Sequence, residues 1–223
     1  METILSWCLD SLQHNPVLLL FILLGTGYLI GNIKIAGFSL GGNFVLRLVQ
    51  KCAATPIDNL QHAFCISPVL DPEKATQKAD NNFIIRKYFL KKWHQSLSKK
   101  QRLFPQIYDF SEVLSLKTIR AVTDALLDKY SEYYSAKNYF RDYAVVEKAL
   151  MESTIPTTII TAKDDPIIPV EDFYQLELND QTNIVIHSYG GHNGFLDGFR
   201  LRSWYEMEMV KLFNEVTQKQ MAL

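Results

Sequence analysis

Gly37-Phe38-Ser39-Leu40-Gly41-Gly42 sets one serine in a G-x-S-x-G pattern with a further glycine behind it. An apolar, β-prone run, Ile33 to Phe38, leads in, and a helical pattern, Asn43 to Val49, leads out. That strand–turn–helix context predicts a nucleophile elbow, with the Ser39 hydroxyl lifted clear of a sheet. Glycines at 37 and 41 are expected to remove Cβ atoms that would clash across so sharp a turn. A serine hydroxyl is a weak nucleophile by itself. It needs a base within hydrogen-bond reach, and the base needs a carboxylate to orient it.

Both partners follow in the chain order that an elbow fold uses, serine then acid then histidine. The β-branched run Thr157 to Thr161 ends in Ala162-Lys163-Asp164-Asp165-Pro166. The run Ile184-Val185-Ile186 is followed by Tyr189-Gly190-Gly191-His192-Asn193-Gly194-Phe195. An acid therefore stands past one predicted strand and a histidine past the next, where parallel sheets collect their chemistry. Read on residue types alone, either Asp164 or Asp165 can be the acid, and Asp165 can instead be a turn former before proline. His14, His62, His94 and His187 have no such context, and His187 reads as a strand side chain. The backbone N–H of Leu40, next after the serine, is the expected oxyanion donor.

The elbow G-F-S-L-G-G-N, the acid loop A-K-D-D-P-I-I-P and the histidine loop G-G-H-N-G-F together resemble the α/β-hydrolase esterases of AB-hydrolase family 4, the YheT-like group. The resemblance runs from about Ile33 to the C-terminus and is loosest between about Asp71 and Leu150. It implies Ser39 as nucleophile, His192 as base and Asp165 as acid, because the family sets its acid just before a short apolar run ending in proline, here Pro166-Ile167-Ile168-Pro169. It implies carboxylic esters of short to medium acyl chains, acylglycerols and phospholipids among them, as substrates, with no metal or organic cofactor. It also implies strands ahead of the elbow strand and an H-G loop for the second oxyanion donor. The 38 residues before Ser39 contain no H-G dipeptide. The alternative expectation is thus an N-terminally truncated, catalytically impaired member that acts as a binding module or has no independent activity. One absent oxyanion donor typically costs about 10²–10³ in rate.

The elements that must position these residues divide the chain into an N-terminal segment, 1–32, a hydrolase core, 33–70 and 154–223, and a helical cap insertion, 71–153. The expected fold is α/β: a partial, mostly parallel sheet flanked by helices. In segment 1–32, Ile4, Leu5, Cys8, Leu9 and Leu12 have helical spacing. The uncharged run that follows has nearly the length of a membrane span, but Gly25, Gly27 and Gly31 weaken it as a helix. Three readings of 15–31 stand: a membrane anchor, a buried insertion, and replaced family sequence. The acidic start, with Glu2 and Asp10 and no lysine or arginine before Lys34, argues against a cleaved signal.

The insertion is rich in aromatics, among them Phe89, Trp93, Phe110, Tyr139, Phe140 and Tyr143, and sequence does not tell which face a substrate. A basic stretch at 86–102, interleaved with Tyr88, Phe89 and Trp93, reads either as a solvated face or as a membrane contact. After the histidine loop, Trp204, Met207, Val210 and Phe213 mark a scaffold helix. The formal net charge of −1 argues against a general nucleic-acid binder. Of the cysteines Cys8, Cys52 and Cys65, none has metal-ligand spacing, and Cys65 reads as a buried thiol, so nothing calls for an oxidising compartment. A cytoplasmic location, with membrane association through 15–31 or 86–102, is the matching expectation.

Overall fold

A computed structural model describes residues 33–133, 135–197 and 202–221. The readings made of segment 1–32, including the run 15–31 and Cys8, lie outside the described residues.

Four strands form one parallel sheet in the order β1 (Ile33–Phe38), β2 (Leu60–Ile66), β3 (Thr157–Ala162), β4 (Thr182–His187). Side chains alternate between the two faces of a strand. Ala63, Cys65 and Ile159 therefore join Leu46, Val49 and Cys52 of helix α1 (Leu40–Cys52) in one core. Phe64, Ile66, Ile160 and Ala162 face the other way, toward helix α7 (Trp204–Met221). β2 and β3 are covered on both faces: every residue of β2 but Gln61 and every residue of β3 but Thr158 is buried, polar His62, Thr157 and Thr161 included. Each fully buried side chain of this kind contributes about 1.5–3 kcal/mol.

Between β2 and β3 the described residues form four α-helices and a short 3-10 turn (Val113–Ser115), and polar residues start each α-helix. Asp71 accepts the N–H groups of Glu73 and Lys74 at the start of α2 (Pro72–Asn81), where Pro72 needs no partner. Asn82 caps α3 (Phe83–Leu103), Thr118 caps α4 (Ile119–Tyr130), and Ser135 caps α5 (Ala136–Tyr143). Phe110, Val113 and Val122 form a separate small core there, packed by Leu90, Trp93 and Leu97 of α3. A short helix α6 (Glu171–Tyr174) joins β3 to β4, and β5 (Leu196–Asp197) pairs antiparallel with β6 (Arg202–Ser203). Among the described residues no helix is long and apolar enough to cross a membrane.

The face of α7 differs from the expectation. Trp204 and Phe213 pack on the sheet, but with Tyr205, Met209 and Leu212, while Met207 and Val210 are 44% and 56% exposed. A helix turns about 100° per residue, so steps of three lag by about 60° each and spiral off the buried side. The positions one, five and eight residues after Trp204 stay on it.

Candidate active site

All four parallel strands end at one edge of the sheet, and the predicted site residues follow directly from them. Ser39 lies between the end of β1 and the start of α1, with φ 52° and ψ −118°. A non-glycine residue held there costs about 1–3 kcal/mol and must be over-determined by its surroundings. The Ser39 N–H donates to the Ile66 carbonyl at 2.9 Å, and the Ser39 carbonyl accepts from Asn43 N–H and Val69 N–H at 3.1 and 3.2 Å. Serine usually caps a helix with its hydroxyl. This one makes no capping bond, so the hydroxyl is free for another partner.

The glycines around the turn divide the work differently from the expectation. A Cβ on Gly37 would lie 2.4 Å from the Gly41 carbonyl oxygen, and one on Gly42 would lie 2.8 Å from Pro68 Cβ. A Cβ on Gly41 would meet nothing within 4 Å. Gly37 and Gly42 give the clearance, because α1 crosses directly over the end of β1 and against the loop after β2, while Gly41 faces open space.

Ser39 Oγ lies 2.9 Å from His192 Nε2, and His192 Nδ1 lies 2.9 Å from Asp165 Oδ2. The Asp165 side chain is fully buried and that of His192 partly so. The second Asp165 oxygen accepts the N–H groups of Ile167 and Ile168 at 2.8 and 2.9 Å, which fixes the carboxylate toward the imidazole. A proton on Nδ1 satisfies the carboxylate and leaves Nε2 to accept from the serine hydroxyl.

Asp164 does something else. Its Oδ1 accepts the N–H groups of Gly190 and Gly191 at 2.9 and 2.8 Å, and so ties down the loop that carries His192. The Leu40 N–H stands at the first position of α1, where a helix offers no internal acceptor. It is therefore placed to donate outward, beside Ser39.

A cavity of about 400 Å³ begins at Ser39 and Leu40. Its wall comes from α1 to α5, with Phe44, Ala75, Phe89, Trp93, Leu126, Phe140 and Tyr143 among the lining side chains, and no charged residue takes part. Two of its polar side chains are spent on the backbone. Asn43 Nδ2 donates to the carbonyls of Val69 and Tyr143, both at 2.8 Å, and the Thr123 hydroxyl donates to Ile119. The lining is largely apolar and uncharged, which suits a hydrocarbon chain.

Two residues matter here beyond those singled out from sequence, Asn43 and Lys78, and Asp164 takes a role other than the one weighed for it. Asn43 joins α1, the loop after β2 and the end of α5. Lys78 of α2 donates to the carbonyls of Asp165 and Ile168 at 2.8 and 3.0 Å, bracing the acid loop. Asp164 holds the histidine loop. Asn43 carried a signal as the last letter of the elbow pattern and Asp164 as a candidate acid, while Lys78 carried none.

No protein-family model matches the chain. It is 29% identical over 184 residues to the phospholipase ABHD3 of Mus musculus, across 78% of this chain and 43% of that protein. It is 27% identical over 178 residues to YheT of Escherichia coli (strain K12), across 76% of this chain and 51% of that protein. The chain belongs to the α/β-hydrolase superfamily. Within it, the monoacylglycerol lipase ABHD2 of Homo sapiens is 24% identical over 220 residues, across 86% of this chain and 50% of that protein. This α/β-hydrolase chain spans about half the length of the curated relatives it matches. Its parallel sheet, elbow serine and histidine loop follow one another in the order that the superfamily uses.

Proposed function

We propose that this chain is a serine hydrolase of carboxylic esters, with Ser39 as nucleophile, His192 as base and Asp165 as the orienting acid. The observation that carries the reading is the pair of 2.9 Å contacts, Ser39 to His192 and His192 to Asp165, at the mouth of an uncharged cavity. His192 Nε2 takes the hydroxyl proton as Ser39 Oγ attacks the ester carbonyl. The oxyanion forms against the Leu40 N–H. The tetrahedral species collapses to an acyl-enzyme, and His192 passes its proton to the departing alcohol. Water, deprotonated by His192, then releases the acid and restores Ser39. The buried Asp165 carboxylate stabilises the imidazolium in both halves of the cycle.

The substrate class in this reading is an acyl ester of a lipid, an acylglycerol or a phospholipid. Its hydrocarbon chain occupies the space under α2 to α5, which act as a cap that excludes water from the acyl-enzyme. The relatives named as a phospholipase and a monoacylglycerol lipase support a lipid ester over a small polar one. A lipid substrate has to be drawn from a lipid surface, for which the basic stretch at 86–102 is the natural contact.

A fluorophosphonate probe tests the chemistry. The purified chain is expected to label at Ser39, and Ser39→Ala is expected to lose the label. A chain that is folded by circular dichroism and never labels would sink the hydrolase reading and leave the binding-module alternative.

A further inference from the structure

Helix α3 is the least buried long element of the described chain: over 21 residues it has no buried side chain. Its inward side is accounted for. Phe89 and Trp93 line the cavity, and Leu90, Trp93 and Leu97 close the small core around Phe110. Its outward side is not. At about 100° per residue, Ile84, Tyr88, Lys91, Gln95, Lys99 and Arg102 fall on one stripe about 27 Å long, with Lys92 beside it.

The composition of that stripe is one-sided. Residues 83–108 hold Arg86, Lys87, Lys91, Lys92, Lys99, Lys100 and Arg102 and no acid, in a chain with 24 acids and a net charge of −1. Among the described residues none of these seven forms an ion pair. Large apolar groups stand exposed on the same helix: Phe83 by 65%, Ile84 by 77% and Tyr88 by 58%. Leu103, Phe104 and Ile107 repeat the pattern at its far end. Charge alone would suit any polyanion. Apolar side chains held out beside unpaired lysines suit a partner that offers negative charge at its surface and hydrocarbon beneath it.

We infer that the outer face of α3 docks on an anionic lipid bilayer, with Ile84 and Tyr88 entering the interface and Lys91, Lys92, Lys99 and Arg102 meeting lipid phosphates. The helix then lies flat between the bilayer and the cavity, with one face toward each. The surface stands on exposure and charge, so it holds whether or not Ser39 performs hydrolysis.

The test is co-sedimentation of the full chain with phosphatidylcholine vesicles made with and without phosphatidylserine. Binding is expected only to the phosphatidylserine vesicles, and raised salt is expected to weaken it. Replacing lysines in the combined variant Lys91→Gln, Lys92→Gln, Lys99→Gln should lower the partition coefficient about fivefold per lysine. Ile84→Ser with Tyr88→Ser should lower it at unchanged charge. The added emission of Tyr88→Trp should shift to the blue on the same vesicles, a signal that needs no destabilising substitution. Equal binding to both vesicle types, or full binding by the lysine variant, overturns the proposal. So does binding to heparin or single-stranded RNA that the lysine variant loses while vesicle binding is absent, which would make the stripe a polyanion site.

Discussion

The Asp164 carboxylate accepts the Gly191 N–H at 2.8 Å, one residue before His192, while its neighbour Asp165 faces the His192 ring at 2.9 Å. Two adjacent acids thus hold one histidine in two ways. One fixes the backbone of its loop from the solvent side, and the other fixes its imidazole from the buried side. The turn after β3, in which Asp165 N–H donates to the Ala162 carbonyl at 3.3 Å, separates the roles by leaving Asp164 exposed and Asp165 buried.

Asparagine substitutions should tell these two apart. Asp165→Asn keeps the size and the two backbone contacts of Oδ1 but loses the charge opposite Nδ1, so hydrolysis of a soluble aryl ester is expected to fall by about 10³–10⁴. Asp164→Asn retains an oxygen for Gly190 and Gly191 and is expected to cost less than about tenfold. Steady-state rates on both variants check the ranking, and equal losses would contradict it.

The elbow glycines are expected to differ in tolerance. Gly37→Ala brings a Cβ to 2.4 Å from backbone that cannot move without displacing α1, and a loss of about 1–3 kcal/mol or more is expected. Gly41→Ala meets open space in a helix that prefers alanine, so stability is expected to hold or to rise by up to about 1 kcal/mol. Urea unfolding midpoints of the two variants decide the matter.

Asn43→Leu is expected to destabilise the fold and to loosen the cavity. It leaves the Val69 and Tyr143 carbonyls without their donor in a buried place, at about 1–3 kcal/mol for each group left unpaired. Because one of those carbonyls belongs to α5, the loss should also appear as faster hydrogen exchange in residues 136–143 than in the sheet.

His62 should make stability depend on pH. It is buried between the sheet and α7, within 3.0 Å of the Thr158 hydroxyl, and burial first, then Lys34, holds its pKa below the ordinary 6.5. The unfolded chain therefore takes up a proton on this residue before the folded chain does. The contribution is fully present above about pH 6.5 and is lost as pH falls through the lower folded value. Urea midpoints of the parent should drop from pH 7.5 to pH 5, and His62→Gln should flatten that part of the dependence.

Much of this protein was legible in its letters. β1 was bounded at Ile33 and Phe38, because a short apolar run before a glycine-flanked serine leaves few other arrangements. The helical character of the stretch after β2 was legible too, whereas the individual helix starts, capped by Asp71, Asn82, Thr118 and Ser135, came only with the structure. Ser39, Asp165 and His192 could be named from local context and chain order, and the resemblance settled which of two acids to prefer.

Other features were decided only when the chain folded. Which face of α7 is buried depended on the helical pitch against a particular sheet, so Met207 and Val210 turned outward. Which aromatics line the cavity and which fill the small core around Phe110 depended on how α2 to α5 pack on one another. That Gly42 rather than Gly41 makes room at the elbow depended on Pro68, 26 residues further along. Local sequence fixes a residue's type, its neighbours and its backbone preference. Contact between Ser39 and His192, separated by 153 positions, exists only because four parallel strands end at the same edge.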